Sequence, residues 1–412
     1  MTLVLNCRFC NESLRNIFAD LGISPLSNAF LKKEMLDDLE KKHPLCAYVC
    51  DNCFLVQLPE FEKPESIFED YTYFSSYSST WLQHAKDYVN MIIKKQRLDE
   101  KKLVIEIASN DGYLLQFFKE KNIPILGVEP AVNVAKVAKE KGIPTMMKFF
   151  GTNTANELIE EGKLADLIVG NNVLAHVPNL NDFVRGLKIL LKPDGIITME
   201  FPHLLQLIQQ NQFDTIYHEH FSYFSFLVVQ KIFSSHQLTV FDVDEIPTHG
   251  GSLRIYARHE ENKNHEISNN VKKILQNEIE FGLTDISTYI NFQNQINQTK
   301  KNILEFFVSA KKSHKKIVGY GAAAKGNTLL NFCELGEDFI EFVVDNSPHK
   351  QGLFLPGTHI PVKSVDNLQK VKPDYLVILP WNLKDEIIMQ VNYIKNWGGK
   401  FVVLIPTVQI FS

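Results

Sequence analysis

The stretch Lys102-Leu-Val-Ile-Glu-Ile-Ala-Ser-Asn-Asp-Gly112 decides the fold class of this 412-residue chain. Its first half is apolar, which predicts a buried strand, and its second half is a short polar loop that ends in glycine. A helix with apolar side chains at helical spacing is expected to begin near Tyr113. A strand, a tight loop and a helix in this order are typical of the ligand-binding edge of an α/β sheet.

The alternation of strands and helices continues beyond this stretch. A second strand ends at Glu129 before Pro130, and further apolar strands are predicted over 165–170 and 195–200 with a helix between them. Repeated strand-helix units predict a parallel, doubly wound sheet, with ligands bound at the carboxyl ends of its strands. We therefore assign residues 66–260 to a central Rossmann-like domain.

The chain is longer than one hydrophobic core normally serves, so more than one domain is expected. Residues 1–65 hold most of the cysteines, and residues 261–412 are predicted to form a helical connector and a smaller Rossmann-like α/β domain. The net charge of −5, with both signs mixed, argues against a nucleic-acid partner. No apolar run approaches the roughly 20 residues of a membrane-spanning helix, and the N-terminus lacks a secretory pattern. We expect a cytoplasmic protein outside the membrane, without an obligate protein partner.

Four cysteines near the N-terminus form two Cys-x-x-Cys pairs, Cys7 with Cys10 and Cys50 with Cys53. Each short turn presents two thiolates, and two such pairs complete the tetrahedral ligand set of Zn²⁺. Four thiolates leave no open position, so the predicted zinc is structural. A helix over residues 31–42 is expected between the pairs, because its apolar residues have helical spacing. The other interpretation is two pairs of buried or free thiols.

The loop after the first strand and the acidic end of the second strand form an arrangement that binds adenosyl ligands. A short loop lets the backbone approach the ligand, and Glu129 would accept hydrogen bonds from ribose hydroxyls. S-adenosylmethionine (SAM) and NAD enzymes share this logic, and the absence of G-x-G-x-x-G in this loop favours SAM. Glu106 or Asp111 would face the methionine ammonium group. The candidate cofactor residues are Glu106, Ala108, Ser109, Asn110, Asp111, Gly112, Glu129, Pro130, Asn171 and Asn172.

The densest cluster of titratable side chains in the sequence is Tyr217-His-Glu-His220. A histidine can act as a neutral base near pH 7, and an adjacent carboxylate can orient it. His176 follows a predicted strand of the central sheet, where it is either a cleft residue or an ordinary loop residue. For the cluster, a metal site with His218 and His220 as ligands and a plain polar loop are the alternatives. The metal site lacks an obvious further ligand nearby.

Two glycine-containing motifs lie further along the chain. His249-Gly-Gly-Ser-Leu-Arg254 suits a close approach of the backbone to a ligand, and equally suits a hairpin turn. Gly319-Tyr-Gly-Ala-Ala-Ala-Lys-Gly326 follows a predicted strand and opens a helix, as phosphate-binding turns do, with Lys325 as a counter-charge. The diphosphate of a sugar nucleotide would suit this turn.

With these residues in view, the chain resembles the sugar C-methyltransferases that methylate C-3 of TDP-4-keto-6-deoxyhexoses. The resemblance runs from end to end and includes the paired cysteines and the Ser-Asn-Asp-Gly loop, with Ala108 where some relatives have glycine. The other shared motifs, in order, are Gly127-Val-Glu-Pro130, Asn172-Val-Leu-Ala-His-Val-Pro178, Glu200-Phe-Pro202, Tyr217-His-Glu-His220, His249-Gly-Gly-Ser-Leu-Arg254 and Gly319-Tyr-Gly-Ala-Ala-Ala-Lys-Gly326.

The resemblance implies a structural zinc in the N-terminal domain and SAM in the central domain. It also implies a nucleotide-linked keto-sugar held between the central and C-terminal domains. His220 would be the base, and one tyrosine of the Tyr-x-Tyr stretch at 71–73 would lie in the active site. The expected catalytic residues are His220, Glu219, Tyr217, His176 and Tyr73. The candidate substrate-binding residues are His249, Arg254, Gly321, Lys325 and Asp345.

The chemistry of such a reaction explains why a base is needed. Carbon does not attack SAM until it becomes nucleophilic, and a C-4 ketone acidifies the C-3 hydrogen because the resulting anion spreads onto oxygen. A histidine base and nearby hydrogen-bond donors would form and stabilise this enolate. A sugar O-methyltransferase is the rival activity, followed by an NAD-dependent nucleotide-sugar oxidoreductase.

Overall fold

The computed structural model describes residues 5–63 and 74–412, and these contain three β-sheets. The first sheet has four strands in the order β1-β2-β3-β9. Its strands are β1 (Asn16–Ser24), β2 (His43–Val49), β3 (Val56–Gln57) and β9 (Ser222–Tyr223). Strand β9 comes from the middle of the chain and pairs antiparallel with β3. The N-terminal sheet is therefore completed by residues that directly follow the Tyr-His-Glu-His motif.

The prediction of a helix over residues 31–42 is wrong. The structure has only a 3-10 turn at Lys33–Met35 there, and Leu39 is fully exposed. An isolated amphipathic segment of this length is not stable without a surface to pack against. The two cysteine pairs are instead bridged by the antiparallel strands β1 and β2.

The central sheet has seven strands in the order β10-β11-β8-β7-β4-β5-β6. They are β4 (Val104–Ile107), β5 (Ile125–Val128), β6 (Thr145–Met146), β7 (Ala165–Asn171), β8 (Leu191–Pro202), β10 (Leu238–Ile246) and β11 (Ser252–His259). The five neighbouring strands β8, β7, β4, β5 and β6 are parallel to one another, which confirms the predicted doubly wound sheet. The antiparallel hairpin of β10 and β11 extends one edge, a feature that the sequence pattern did not predict.

Helices cover both faces of the central sheet. They are α1 (Ser79–Gln96), α2 (Leu115–Lys119), α3 (Val132–Glu140), α4 (Thr152–Glu160), α5 (Leu180–Leu190), α6 (Leu204–Gln209) and α7 (Phe226–Ser235). Alternate residues of β4 enter different cores: Val104 packs with α1 and α2, whereas Ile105 packs with α4, α5 and α7. This two-sided burial explains the continuous apolar run that the sequence shows at this strand.

The C-terminal part begins with three helices where one or two were expected, α8 (Asn269–Phe281), α9 (Ile286–Ile290) and α10 (Phe292–Lys312). Its sheet has the order β14-β13-β12-β15-β16-β17 and is parallel except for β17. The strands are β12 (Ile317–Tyr320), β13 (Val343–Val344), β14 (Val362–Lys363), β15 (Tyr375–Ile378), β16 (Lys400–Val403) and β17 (Gln409–Phe411). The helices are α11 (Ala324–Phe332), α12 (Asn367–Val371) and α13 (Lys384–Gln390). This sheet confirms the second, smaller α/β unit.

The N-terminal sheet and the C-terminal unit share one hydrophobic core, in which the rings of Phe18 and Phe292 stack with centroids 4.8 Å apart. The remaining 3-10 turns are Ser75–Tyr77, Leu174–His176, Phe213–Thr215, Thr248–Gly250, Trp381–Leu383 and Asn392–Trp397. Among the helices of the described residues, none combines the length and apolar character that a membrane span requires. The packing brings all three parts of the chain against one another around the carboxyl end of the central sheet.

Candidate active site

A cavity of about 540 Å³ opens at the carboxyl end of the central sheet. Its walls come from the N-terminal, central and C-terminal parts of the chain. The polar residues that line it include Asn28, Asn110, Glu129, Asn171, Asn172, His176, Tyr217, Glu219, His220, His249, Lys325 and Lys350. Most of the residues that the sequence analysis selected as catalytic therefore meet in one space.

The loop after β4 forms one end of this cavity. Ala108 and Asn110 adopt left-handed backbone conformations, with φ of 56° and 49°. The backbone N–H of Asn110 donates to Oε2 of Glu129 over 2.9 Å, and the N–H of Ala131 donates to Oε1 over 2.9 Å. Burial raises the pKa of Glu129 to about 7. The tight loop and the acidic end of β5, with Pro130 beside it, are thus assembled as expected.

Four of the predicted cofactor residues do not line the cavity. Glu106 lies within β4, and Ser109, Asp111 and Gly112 belong to the loop that follows it. The carboxyl group of Glu106 is buried, and burial together with Glu129 raises its pKa well above the ordinary value, although a hydrogen bond from Tyr113 acts in the opposite direction. Asp111 is paired with Lys141 over 2.9 Å. Gly112 has φ of 77°, and a Cβ there would lie 2.8 Å from Ile143.

Asn171 and Asn172, at the end of β7, form the next part of the wall. The side-chain oxygen and nitrogen of Asn171 have no hydrogen-bond partner in the part of the chain that the structure describes. Nδ2 of Asn172 donates to Nε2 of His249 over 2.9 Å. Desolvation lowers the pKa of His249 to about 4, so this ring is neutral and its Nε2 accepts the hydrogen bond. The amide of Asn171 and the side-chain oxygen of Asn172 are therefore available to a polar ligand in the cavity.

His220 has a defined tautomer. Its Nδ1 lies 3.2 Å from the carbonyl oxygen of Thr215, and the hydroxyl of Tyr217 lies 2.9 Å from its Nε2. A carbonyl only accepts, so Nδ1 carries the hydrogen of the neutral ring and Nε2 keeps its lone pair toward Tyr217. Desolvation, and next the neighbouring His176, hold the pKa of His220 well below its ordinary value. The ring is therefore an unprotonated base at neutral pH.

His176 and Glu219 lie next to His220 and belong to the same cluster of buried titratable side chains. Nδ1 of His176 donates to the backbone carbonyl of Glu219 over 2.7 Å, and its ring centroid lies 4.7 Å from that of His220. Burial lowers the pKa of His176 to about 4 and raises the pKa of Glu219 to about 7. Tyr73, the fifth catalytic candidate, lies outside the described residues, as does Tyr71.

His218 does not face the cavity. Its Nε2 donates to the carbonyl of Pro44 over 3.2 Å, and its ring lies 5.8 Å from that of His43 in the N-terminal part of the chain. His218 and His220 therefore point to opposite sides of the backbone, which removes the alternative of a metal held jointly by both rings.

The C-terminal unit supplies two lysines to the cavity. Lys325, in the first turn of α11, donates to Oδ1 of Asn382 over 2.7 Å and lies 4.7 Å from the ring centroid of Trp381. Lys350 donates to the carbonyl of Ala322 over 2.7 Å. Burial lowers the pKa of both lysines. Lys325 was expected from its glycine-containing motif, whereas Lys350 stands in a loop without any motif that would have marked it.

Three further substrate candidates support the walls without lining the cavity. Arg254 is buried and its Nε donates to Oε1 of Glu200 over 2.6 Å. The carboxylate of Asp345 accepts from the N–H of Ala322 over 2.7 Å, which fixes the turn before α11. Gly321 has φ of 91°, and a Cβ at this position would lie 2.5 Å from Pro380. The structure places these residues in the second layer around the site.

The four predicted zinc ligands form one cluster. The sulfur atoms of Cys7, Cys10, Cys50 and Cys53 all lie within 4.8 Å of one another. Sγ of Cys7 is 3.5 Å from that of Cys53, and Sγ of Cys10 is 3.5 Å from that of Cys50. Tetrahedral zinc-thiolate sites have sulfur atoms at about this separation, given Zn–S bonds of about 2.3 Å. The two knuckles are preassembled for a closed structural zinc.

Comparison with known proteins identifies the family. The chain is 34% identical over 406 residues to the C-methyltransferase NovU of Streptomyces niveus, covering 98% of this chain and 96% of that protein. It belongs to the C-methyltransferase family. Residues 7–68 match a zinc binding domain, 82–243 a methyltransferase domain, and 247–406 the C-methyltransferase C-terminal domain. The enzyme is a SAM-dependent methyltransferase with a zinc-binding N-terminal segment.

Two more distant similarities each cover less than half of this methyltransferase. A stretch of 95 residues is 27% identical to the ubiquinone biosynthesis O-methyltransferase of Bartonella tribocorum, covering 23% of this chain and 38% of that protein. A solved SAM-dependent methyltransferase from Clostridium acetobutylicum has 13% identity and a TM-score of 0.36, covering 43% of this chain and 92% of that chain.

The residues of the methyltransferase fit both cofactors. The unpartnered amide of Asn171 and the buried carboxyl group of Glu106 lie at or behind the same end of the cavity, where the polar and cationic groups of SAM would satisfy them. The four clustered thiols fit zinc by number, element and spacing. SAM supplies an electrophilic methyl group, and zinc in a four-thiolate site supplies stability only.

Proposed function

We propose that this C-methyltransferase acts on a nucleotide-linked 4-keto-deoxysugar and adds the methyl group at C-3 through an enolate that His220 forms. The observation that carries the proposal is the position of His220: its unprotonated Nε2 lies in the same cavity as the Asn110–Glu129 end. The resemblance of the motifs supplies the substrate class.

Proton removal is the step that the cluster at 217–220 supports. Nε2 of His220 takes the C-3 hydrogen as a proton, and the electron pair of the broken C–H bond moves into the enolate, whose charge lies on the former ketone oxygen. The enolate carbon then forms a bond to the methyl group as the bond from that methyl to sulfur breaks. Tyr217 donates to Nε2 of His220, so in the proposed step its hydroxyl turns toward the enolate oxygen as Nε2 takes the proton.

The low pKa of His220 suits this role. A solvent-exposed histidine would be partly protonated near pH 7, whereas this ring stays neutral because it is desolvated. Once the proton has moved, the imidazolium faces the negative enolate, and the two charges stabilise each other in a site of low dielectric constant. Removal of the proton therefore creates the negative enolate that stabilises the protonated ring.

A diphosphate-linked substrate is supported by the C-terminal wall. Lys325 and Lys350 bring two ammonium groups to the cavity, and the N-terminus of α11 opens onto it at Ala323 and Ala324. Neither lysine has a carboxylate within ion-pair distance among the described residues. Asp214 acts on Lys325, and Asp345 and Glu219 act on Lys350, only from beyond ion-pair distance. Buried cations without a directly paired carboxylate are stabilised when an anion binds, and a diphosphate meets this need.

The cofactor would occupy the opposite end. The carboxylate of Glu129, already oriented by two backbone N–H groups, has remaining lone pairs for ribose hydroxyls. The amide groups of Asn171 and Asn172 line the same cavity as Glu129 and His220. SAM held by Glu129 would therefore bring its electrophilic methyl group into the cavity that His220 lines.

The proposal is tested by incubating the zinc-loaded enzyme with radiolabelled SAM and a panel of TDP-, GDP- and CDP-linked 4-keto-deoxysugars. We expect label transfer to one nucleotide sugar and a product whose NMR spectrum shows a methyl group on C-3. A methyl ether would contradict the carbon assignment. Absence of transfer to every keto-sugar, with transfer to another class of molecule, would overturn the substrate class.

A further inference from the structure

The zinc-binding segment is joined directly to the catalytic motif. Strand β9 starts two residues after His220 and pairs with β3. The N–H of Leu58, which follows β3, donates to the carbonyl of Phe221 over 3.0 Å, and the N–H of Phe221 donates to the carbonyl of Ala175 over 2.7 Å. The segments that carry His176 and His220 are therefore hydrogen-bonded to each other and to the N-terminal sheet.

Arg8, between the first two zinc-ligand cysteines, closes this assembly from one side. Its Nη1 donates to the carbonyl of Pro178 over 3.0 Å, and its Nη2 donates to the carbonyl of Leu58 over 2.5 Å. The guanidinium carbon lies 5.4 Å from the ring centroid of Phe221. The guanidinium group of Arg8 thus contacts three separate parts of the chain. Pro178 lies two positions after His176, Phe221 follows His220 directly, and Leu58 follows β3 and is hydrogen-bonded to Phe221.

The surroundings of Arg8 indicate a specific task. No carboxylate among the described residues forms a direct ion pair with Arg8, although Glu60 is close enough to interact electrostatically. Desolvating a guanidinium is unfavourable, and here two carbonyl oxygens and an aromatic face contact the group directly. The rigid fork of donors is what lets one side chain bridge two separate backbone segments.

We infer that Arg8 is a positioning residue of the methyltransferase, which fixes the loop at 174–178 against residue 221 so that the rings of His176 and His220 keep their geometry. The catalytic consequence rests on the proposed function, because the ring pair acts on the substrate only if His220 is the base. The geometric consequence does not depend on the substrate, since the two rings can be observed in the enzyme alone.

The test compares Arg8→Gln and Arg8→Lys with Arg15→Gln, a matched loss of charge at an exposed arginine of the same segment. Zinc content, thermal unfolding midpoint and SAM affinity are measured for each zinc-loaded protein. The histidine ring nitrogens are followed by NMR across pH, which reports the tautomer and environment of His176 and His220 without any substrate. Methyl transfer is then measured with the keto-sugar that the wild-type enzyme accepts.

We expect Arg8→Gln to keep its zinc and its SAM affinity, to shift the ring signals of both histidines, and to lower kcat by about 10- to 100-fold with little change in KM, because small displacements of catalytic groups have effects of this size. The kcat of Arg8→Lys should lie between those of Arg8→Gln and the wild type, since one ammonium group cannot bridge both carbonyls. Arg15→Gln should match the wild type.

Three results would overturn the inference. One is unchanged ring signals and kcat in Arg8→Gln. Another is a loss of kcat that follows the loss of zinc or of folded protein. The third is failure of both Arg8 variants to fold. Either of these last two results would mean that Arg8 only determines the fold. If the wild-type enzyme methylates no keto-sugar, the proposed function fails, and the NMR comparison still decides the position of the rings.

Discussion

Nδ2 of Asn28 donates a 2.7 Å hydrogen bond to Oε2 of Glu219, which joins the zinc-binding segment to the catalytic motif inside the cavity. The hydrogen-bond partner is a neutral amide, and Lys350 nearby offsets only part of the desolvation of the carboxyl group. Burial consequently raises the pKa of Glu219 to about 7, from 4.5. Ionisation of Glu219 therefore opposes folding.

The first prediction concerns stability across pH. Because the pKa of Glu219 is higher in the folded than in the unfolded state, its contribution to stability is fully present below about pH 4.5 and is lost as the pH rises through about 7. Glu219→Gln should therefore gain about 3 kcal/mol of unfolding free energy relative to the wild type between about pH 4.5 and pH 8. Denaturant unfolding at several pH values measures this difference, and the exposed Glu266→Gln is the control. If the difference in unfolding free energy between Glu219→Gln and the wild type did not change with pH, the raised pKa of Glu219 would be contradicted.

The second prediction concerns the base. His220→Asn should abolish hydrogen exchange at C-3 of the keto-sugar in deuterated solvent without SAM, and should lower methyl transfer by about 100- to 10,000-fold, the usual range for loss of a general base. Tyr217→Phe should retain exchange but slow it, because it loses a donor and not the base. NMR of the sugar measures the exchange. His314→Asn, at an exposed position, is the control. Exchange at the wild-type rate in His220→Asn would show that another group removes the proton.

The third prediction concerns SAM binding. Ribose hydroxyls donate to the ionised form of Glu129, so bound SAM should lower the pKa of this group from about 7 and its binding should release a proton near neutral pH. Affinity should then increase as the pH rises through about 7. Calorimetry in two buffers of different ionisation enthalpy measures the proton. Glu129→Gln should bind about 10- to 100-fold more weakly and lose the proton release, since hydrogen bonds to a charged group contribute about 1.5–3 kcal/mol. Proton release that persists in the variant would assign it elsewhere.

The fourth prediction concerns the zinc site. Cys10→Ser should lose bound zinc and lower the unfolding temperature, because a four-thiolate site contributes its binding free energy to folding. Cys46→Ser should retain zinc and serve as the control, since Cys46 lies outside the cluster of four sulfur atoms. Metal analysis and thermal unfolding measure both. Retention of a full equivalent of zinc by Cys10→Ser would mean that the site does not need all four thiols.

The sequence predicted the features that depend on neighbouring residues. The loop after β4 was recognisable because a strand, a tight turn and a helix follow one another within Lys102–Gly112, and the zinc knuckles because each pair of cysteines is local. The predicted helix over 31–42 failed for the opposite reason, since its apolar spacing had no surface to pack against and Leu39 remains in solvent.

Residues brought to the cavity by distant packing could not be found from the sequence. Asn28 and Lys350 reach the site through contacts between the N-terminal sheet, the central sheet and the C-terminal unit, and neither belongs to a motif. Arg254 shows the converse, because its motif marks it for a ligand while a buried ion pair with Glu200 satisfies its guanidinium. Motifs indicate that a residue is constrained, and packing decides whether it lines the cavity or supports the wall.

The pairing of β3 with β9 means that the N-terminal sheet is completed late in the synthesis of the chain. Residues 56–57 leave the ribosome long before residues 222–223, so β3 has an open edge until most of the central sheet has been made. Open strand edges invite pairing with other chains, which makes this interval the time of greatest risk for misassembly. Metal capture by the early cysteine knuckles would hold the nascent sheet together until its last strand is made, and His220, two residues before that strand, would reach its final position only then.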